Sequence, residues 1–119
     1  MAVHNELGRW GEDTAEDYLR EKGYVILERD WHSGHRDIDI IALHNGTIVF
    51  VEVKTRQNRR FTEPELAVGY QKIRYLQAAM NHYVKTRRNN YDLRFDIITV
   101  VGDIGSTPEV THIEDVPII

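Results

Sequence analysis

The sequence predicts an α/β fold in which helices flank a central mixed β-sheet, with the elements in the order α-β-β-β-α-β-β. Two observations support this prediction. Asn45-Gly46 separates two apolar runs, and this dipeptide is the strongest short-range hairpin signal because a type I′ turn needs positive φ at both central residues. Segments with apolar residues at helical spacing precede and follow the hairpin in the sequence, so helices are expected to cover the sheet.

The length and composition are those of a single domain, spanning residues 1–119. The chain is long enough to bury a hydrophobic core, and it has no cysteine. Without thiolates, any metal would be held by carboxylates, carbonyls, histidines or water. The sequence shows no signal-peptide pattern and no run of about 20 apolar residues. We therefore expect a soluble cytoplasmic protein.

The individual elements follow from residue spacing and from start and stop signals. The first helix carries an apolar stripe and ends before Gly23, and the second begins at a capping box formed by Thr62 and Glu65. β-Branched and aromatic residues mark the strands. The predicted bounds are 5–22 for the first helix, 24–31 for a strand, 37–54 for the hairpin, 63–87 for the second helix, and 94–101 and 110–113 for the last two strands.

The two-residue turn also predicts which residues of the hairpin face each other. Counting outward from the turn, Asp39 is expected opposite Glu52 and Asp37 opposite Lys54, with all four side chains on one face. Because both faces are otherwise apolar, this should be a central hairpin that is covered on both sides. The opposite face is expected to carry Ile38, Ile40, Ala42, Val49, Val51 and Val53.

These four polar residues suggest a metal-dependent chemistry. Two carboxylates facing each other in a sheet resist joint ionisation, and a hard divalent cation offsets that repulsion. Lys54 could then direct its ammonium group at the negative charge that develops on a phosphate. The alternative is a structural salt-bridge cluster in which Lys54 neutralises Asp37.

The first helix adds a further acidic candidate. Glu12 is one or two turns from Gly8, Ala15 and Leu19, so it lies at the edge of the buried stripe. Gly8 and Gly11 are expected to leave room beside it for a ligand. The alternative is that Glu12 is an ordinary surface acid.

Four segments of the sequence resemble those of a known protein family. The runs GRWGEDTAEDYLREKGY, DIDIIA, VFVEVKTR and RFDIITV look like those of the YraN-type bacterial proteins. These proteins are in turn similar to archaeal Holliday-junction resolvases in the PD-(D/E)xK nuclease superfamily. The resemblance covers the chain from Leu7 to about Val116, and it implies a restriction-endonuclease-like core.

The resemblance also implies roles for individual residues. Asp39 and Glu52 would bind Mg²⁺ or Mn²⁺ together with the carbonyl group of Val53. Lys54 would assist the attacking water, and Glu12 would correspond to the glutamate of the first helix in the resolvases. This sequence departs from the family pattern at Arg36-Asp37, where Gly-Glu is usual.

The charge distribution points to a possible DNA-binding segment. The net charge is −4, but residues 54–94 hold 10 lysines and arginines against 3 acidic residues. Such a segment can bind phosphates, although it can also be simply a solvated surface. The residues expected to contact DNA are Arg56, Arg59, Arg60, Gln71, Lys72 and Arg74.

Two functions remain open from the sequence. The first is a Mg²⁺-dependent endonuclease that cuts DNA, including branched or structured DNA, and the second is a non-catalytic nucleic-acid-binding or accessory module on the same fold. Because one site cuts one strand at a time, we also expect a homodimer or an accessory protein partner.

Overall fold

A computed structural model describes residues 2–34, 36–58, 70–87 and 91–117. It confirms the predicted α/β fold and the order α-β-β-β-α-β-β. Neither of the two described helices is long and apolar enough to cross a membrane. The elements are α1 (Ala2–Glu21), β1 (Val25–Ser33), β2 (Arg36–His44), β3 (Thr47–Arg56), α2 (Tyr70–Arg87), β4 (Asp92–Val101) and β5 (Glu109–Ile113).

The five strands form one mixed sheet in which spatial order equals chain order, β1-β2-β3-β4-β5. Strands β3 and β4 are parallel, and the other neighbouring pairs are antiparallel. A parallel pair needs a crossover connection, which explains why α2 lies between these two strands in the sequence. The predicted start of the second helix, with its capping box at Thr62 and Glu65, lies outside the described residues.

The turn of the central hairpin has the predicted geometry. Asn45 and Gly46 have φ angles of 51° and 77°, as a type I′ turn requires. The register follows the prediction from the turn as far as the pair Ile40 and Val51. The turn chemistry therefore fixes the pairing over most of the hairpin.

Beyond that pair, the predicted ladder does not continue. The ladder between the described parts of β2 and β3 does not include the pairs Asp39–Glu52 and Asp37–Lys54. The backbone N–H of Val53 donates instead to Oδ2 of Asp39, at 2.8 Å. A side chain has thus replaced a strand carbonyl as the acceptor, and the two strands separate at this end.

Each face of the sheet carries its own hydrophobic core. On one face, α2 packs on a cluster that includes Ile41, Phe50 and Tyr83. On the other face, α1 packs on a cluster that includes Leu19 and Ile40. These two layers cover the hairpin on both sides, as expected for a central one.

One apolar residue lies on the face opposite to its prediction. Ile38 belongs to the cluster on the α2 side, whereas Ile40 belongs to the cluster on the α1 side. Strict alternation would place them together. The alternation is interrupted at Asp39, the residue between them, where the ladder to β3 ends.

A buried polar network fastens β4 to β5. Asp96 is fully buried, and its carboxylate accepts hydrogen bonds from Arg94 at 2.8 and 2.9 Å, from Nε2 of His112 at 2.7 Å and from the backbone N–H of Asp115 at 3.0 Å. Arg94 also donates to the hydroxyl of Tyr24 at 2.7 Å. Burial tends to raise the pKa of Asp96, but these hydrogen bonds outweigh it and lower the pKa.

Candidate active site

An acidic centre lies where β2 and β3 separate. One carboxylate oxygen each from Glu12 of α1, Asp30 of β1 and Asp39 of β2 lie within 4.8 Å of one another. All three donors are oxygens, which are the ligands that hard divalent cations prefer. Asp39 and Glu12 were predicted site residues, and the structure brings them together.

Sequence reasoning missed Asp30. The pairs Arg29–Ile40 and Trp31–Ile38 place Asp30 across from Asp39 on the neighbouring strand. The signal that could have found it is an acidic residue within an apolar strand candidate. Its position next to Asp39 depends on the pairing of β1 with β2, which no turn signal in the sequence fixes.

The backbone at Asp30 has an unusual conformation. Its φ of 49° lies in the left-handed region, although the residue is in the middle of a strand. Aspartate tolerates this region better than most residues, but the conformation still has an energetic cost. It accompanies the turning of the Asp30 carboxylate towards those of Glu12 and Asp39.

The crowding of carboxylates changes the protonation of Glu12. Burial, a hydrogen bond with Asp30 and the negative charges of Asp39 and Asp30 raise the pKa of Glu12 to about 7, against an opposing effect of Arg29. Three carboxylates this close therefore do not all ionise readily at neutral pH. A proton or a cation must lower the negative charge of the cluster.

Arg29 of β1 provides part of that positive countercharge through its contacts with α1. The guanidinium group of Arg29 lies 2.6 Å from Glu16, 3.1 Å from Asp13 and 3.4 Å from Glu12. These contacts raise the pKa of Arg29 further, despite its partial burial. Arg29 thus ties β1 to α1 beside the acidic centre.

Glu52 and Lys54 line a cavity of about 300 Å³ next to the acidic centre. Nζ of Lys54 is 4.0 Å from Oε2 of Glu52, and the two side chains are only 14% and 19% exposed. Asp37 and Asp39 line the same cavity. Lys54 is therefore paired with Glu52, a contact that neither of the sequence interpretations proposed.

A larger cavity, of about 520 Å³, opens on the α1 side of the centre. Its lining includes Glu12 and Gly8 from the first helix and Thr55 from β3. Asp39 and Val53 line both cavities. The carboxylate of Asp39 therefore lies at the junction of two spaces with different linings.

A close contact between α1 and β3 holds Glu12 in place. Gly11 is buried, and a Cβ atom on it would lie 2.0 Å from Oγ1 of Thr55. The space at Gly11 is thus filled by Thr55, and the expectation that it would leave room for a ligand is wrong. At Gly8 an added Cβ would meet nothing within 4 Å, so that glycine does leave space.

The residues expected to contact DNA are only partly described. Arg56 lines both cavities, next to Asp39. Arg74 is exposed on α2. The side chains of Gln71 and Lys72 in α2, and the whole of Arg59 and Arg60, lie outside the described residues.

The fold and the site define an α/β protein with an acidic centre at one end of a mixed sheet. The model of the uncharacterised protein family UPF0102 matches residues 11–100, and the chain belongs to this family. A UPF0102 protein of Bacteroides thetaiotaomicron is 45% identical over 115 residues, which are 97% of this chain and 94% of the relative. A relative from Syntrophomonas wolfei is 42% identical over 93% of this chain and 96% of its own length. The resemblance to the YraN-type proteins is thereby confirmed as family membership.

Proposed function

We propose that this protein is a metal-dependent endonuclease that hydrolyses phosphodiester bonds of DNA in the bacterial cytoplasm. The observation that carries the proposal is the meeting of Glu12 and Asp39 with the Glu52–Lys54 pair at the point where β2 and β3 separate. Carboxylates that need a countercharge, beside a largely buried lysine, suit a phosphate and a cation together.

The donor set fits a hard cation such as Mg²⁺ or Mn²⁺. Asp39 and Glu52, which line one cavity, would hold it together with the carbonyl group of Val53. Glu12 and Asp30 place two more carboxylates beside Asp39. When bound, such an ion would neutralise phosphate oxygens and lower the pKa of a water molecule.

The residues of the chain itself have distinct tasks in this proposal. The backbone N–H of Val53 fixes the orientation of the Asp39 carboxylate, so that its position is set before substrate binds. Glu52 holds the ammonium group of Lys54 within the cavity. From there Lys54 can stabilise the negative charge that grows on the phosphate during hydrolysis. Such preorganised charges act without reorganisation at the moment of reaction.

The substrate is proposed to be DNA, including branched or structured DNA. Arg56 lines both cavities and can approach a backbone phosphate next to the acidic centre. Phosphate contacts of this kind position a strand but carry no sequence information. These phosphate contacts should therefore respond to the structure of the DNA and not to its base sequence.

The test is cleavage of a panel of single-stranded, flapped, branched and duplex DNA with Mn²⁺. Asp39→Asn and Glu52→Gln should each slow single-turnover cutting by roughly a hundredfold or more, because each removes a negative charge that would hold the cation. Asp17→Asn is the matched control, since Asp17 is an exposed acid of the same helix as Glu12. Its rate should equal that of the parent.

Two outcomes would contradict the proposal. Cutting that persists in both Asp39→Asn and Glu52→Gln would show that the activity lies elsewhere. DNA binding by the parent without cutting of any substrate would favour the accessory-module alternative. Cutting of an RNA panel alone would change the substrate class but keep the site.

A further inference from the structure

The larger cavity has a lining that suits a neutral polar ring better than a phosphate group. Its volume of about 520 Å³ is in the range of small-molecule sites. Around Asp39 and Glu12 it adds two more acidic residues, Glu6 and Asp103, and among the described residues of its lining Arg56 alone is basic. An anion entering this space would be repelled by most of the charges that it meets.

The same cavity also has apolar side chains in its lining. Leu7 of α1 and Ile104 of the loop after β4 both line it. The side chain of Ile104 is among the exposed large hydrophobic residues, at 55%. A flat, uncharged group in contact with these side chains would cover apolar surface that is otherwise in contact with water.

The loop that carries Ile104 is firmly braced. The backbone N–H of Gly102 donates to the carbonyl of Arg56 at 2.9 Å, which joins the loop to the end of β3. Ser106 donates through its hydroxyl to the carbonyl of Asp103 at 2.7 Å, and accepts from the N–H of Asp103 at 2.9 Å. Ile104 is therefore presented on a preformed turn.

We propose that this cavity binds one unpaired nucleobase of the substrate strand, against Ile104 and Leu7, next to the phosphate that Lys54 and a cation at Asp39 would hold. The inference rests on the proposed nuclease function and deepens it by naming the substrate feature that is recognised. A base in a duplex is stacked and paired, and its removal costs a few kcal/mol, whereas a flap or branch point offers an unpaired base without that cost.

The acidic lining also predicts which bases bind well. Carboxylates accept hydrogen bonds, and the exocyclic amino groups of cytosine and adenine donate them. Asp103 and Gln57 both line the cavity, with Nε2 of Gln57 3.5 Å from Oδ1 of Asp103. Thymine has no exocyclic amino group, so it should bind more weakly than cytosine.

The experiment measures DNA binding by fluorescence anisotropy in Ca²⁺, with strands that differ at a single unpaired position. In the parent, an unpaired cytosine should bind about tenfold more tightly than an abasic residue at the same position. Ile104→Ala should weaken binding of the cytosine strand about fivefold, because it removes about half of an isoleucine side chain's apolar contact with the base. It should not affect binding of the abasic strand. Leu93→Ala is the matched control, because Leu93 is an exposed apolar residue outside the cavity and should change neither.

The possible failures are distinguishable. Equal binding of cytosine and abasic strands by a protein that still cuts DNA would overturn the base pocket and leave the nuclease proposal intact. If no DNA is bound or cut, titration of deoxycytidine followed at the Ile104 methyl resonances tests the cavity alone. Shifts confined to the cavity would support a nucleobase site, and their absence at millimolar nucleoside would overturn it.

Discussion

The contact between Gly11 and Thr55 leads to a sharp prediction about helix α1. Replacing Gly11 by alanine places a Cβ atom 2.0 Å from Oγ1 of Thr55 and 2.9 Å from both its Cβ and its Cγ2. Rotation of the threonine can relieve the first contact, but the contact with its Cβ remains. The helix must therefore move away from β3, and Glu12 moves with it.

The expected magnitude follows from two opposing effects. Alanine is better than glycine in a helix interior by about 1 kcal/mol. Overpacking of a filled site costs about 1–3 kcal/mol. Gly11→Ala should therefore lower the free energy of unfolding by up to about 2 kcal/mol. Gly8→Ala, in the same helix but with open space around it, should raise that free energy by up to about 1 kcal/mol.

Urea unfolding of both variants and of the double variant Gly11→Ala with Thr55→Ala measures these differences. Removing the threonine hydroxyl and methyl groups relieves most of the overlap, so the double variant should show a favourable coupling of about 1 kcal/mol or more. The reasoning is refuted if Gly11→Ala is as stable as Gly8→Ala, or if the coupling is absent.

Further predictions concern stability, DNA binding and assembly. Asp96→Asn should cost about 2–3 kcal/mol because it leaves buried donors of Arg94 and His112 poorly paired. The pKa of Asp96 is lowered in the folded protein, so its ionised carboxylate stabilises the fold above the usual carboxyl pKa, and this stabilisation is lost as the pH falls through the lowered pKa. In urea unfolding between pH 7 and pH 3, the free energy of unfolding should therefore fall less in the variant than in the parent. Gly46→Ala, at a φ of 77°, should cost about 1 kcal/mol in the same assay, and no loss would contradict the turn assignment. Arg74→Ala should reduce the salt dependence of DNA binding by about 0.7–0.9 in slope, and an unchanged slope would place Arg74 away from the DNA. Sedimentation equilibrium with branched DNA should show a homodimer, or else a monomer that cuts efficiently only after a partner protein is added. A monomer that cuts efficiently by itself would exclude both.

Most of the fold could be predicted from local chemistry. The Asn45-Gly46 turn is specified by two residues that tolerate positive φ, and it fixes the register as far as Ile40 and Val51. The apolar stripes of the helices likewise follow from the 3.6-residue period. Signals of this kind depend only on neighbours in the sequence, and for that reason they are readable without a structure.

The site was less predictable because its geometry depends on contacts between distant residues. The turn predicts that Asp39 faces Glu52, but the carboxylate of Asp39 accepts from the backbone of Val53 and groups with Glu12 and Asp30 instead. When a side chain replaces a strand carbonyl as the hydrogen-bond acceptor, no pattern in the sequence indicates it. The sequence therefore predicts Glu12, Asp39, Glu52 and Lys54 as candidates, but not how Asp39 is shared between the group with Glu12 and Asp30 and the cavity of Glu52 and Lys54.

The agreement between strand order and chain order has a consequence for how the molecule folds. Strands β1, β2 and β3 pair with their immediate neighbours in the chain, so this meander can form through short loops on a microsecond timescale. The parallel pairing of β3 with β4 must wait for closure of the stretch from 57 to 91, which costs more chain entropy. Pulse-labelled hydrogen exchange should protect the amides of Ile41 and Val49 before those of Ile97, and simultaneous protection would contradict this order. Glu12 and Asp39 belong to segments that precede this stretch in the chain and can form before it closes. The loop carrying Ile104 follows β4 and is completed only after the closure.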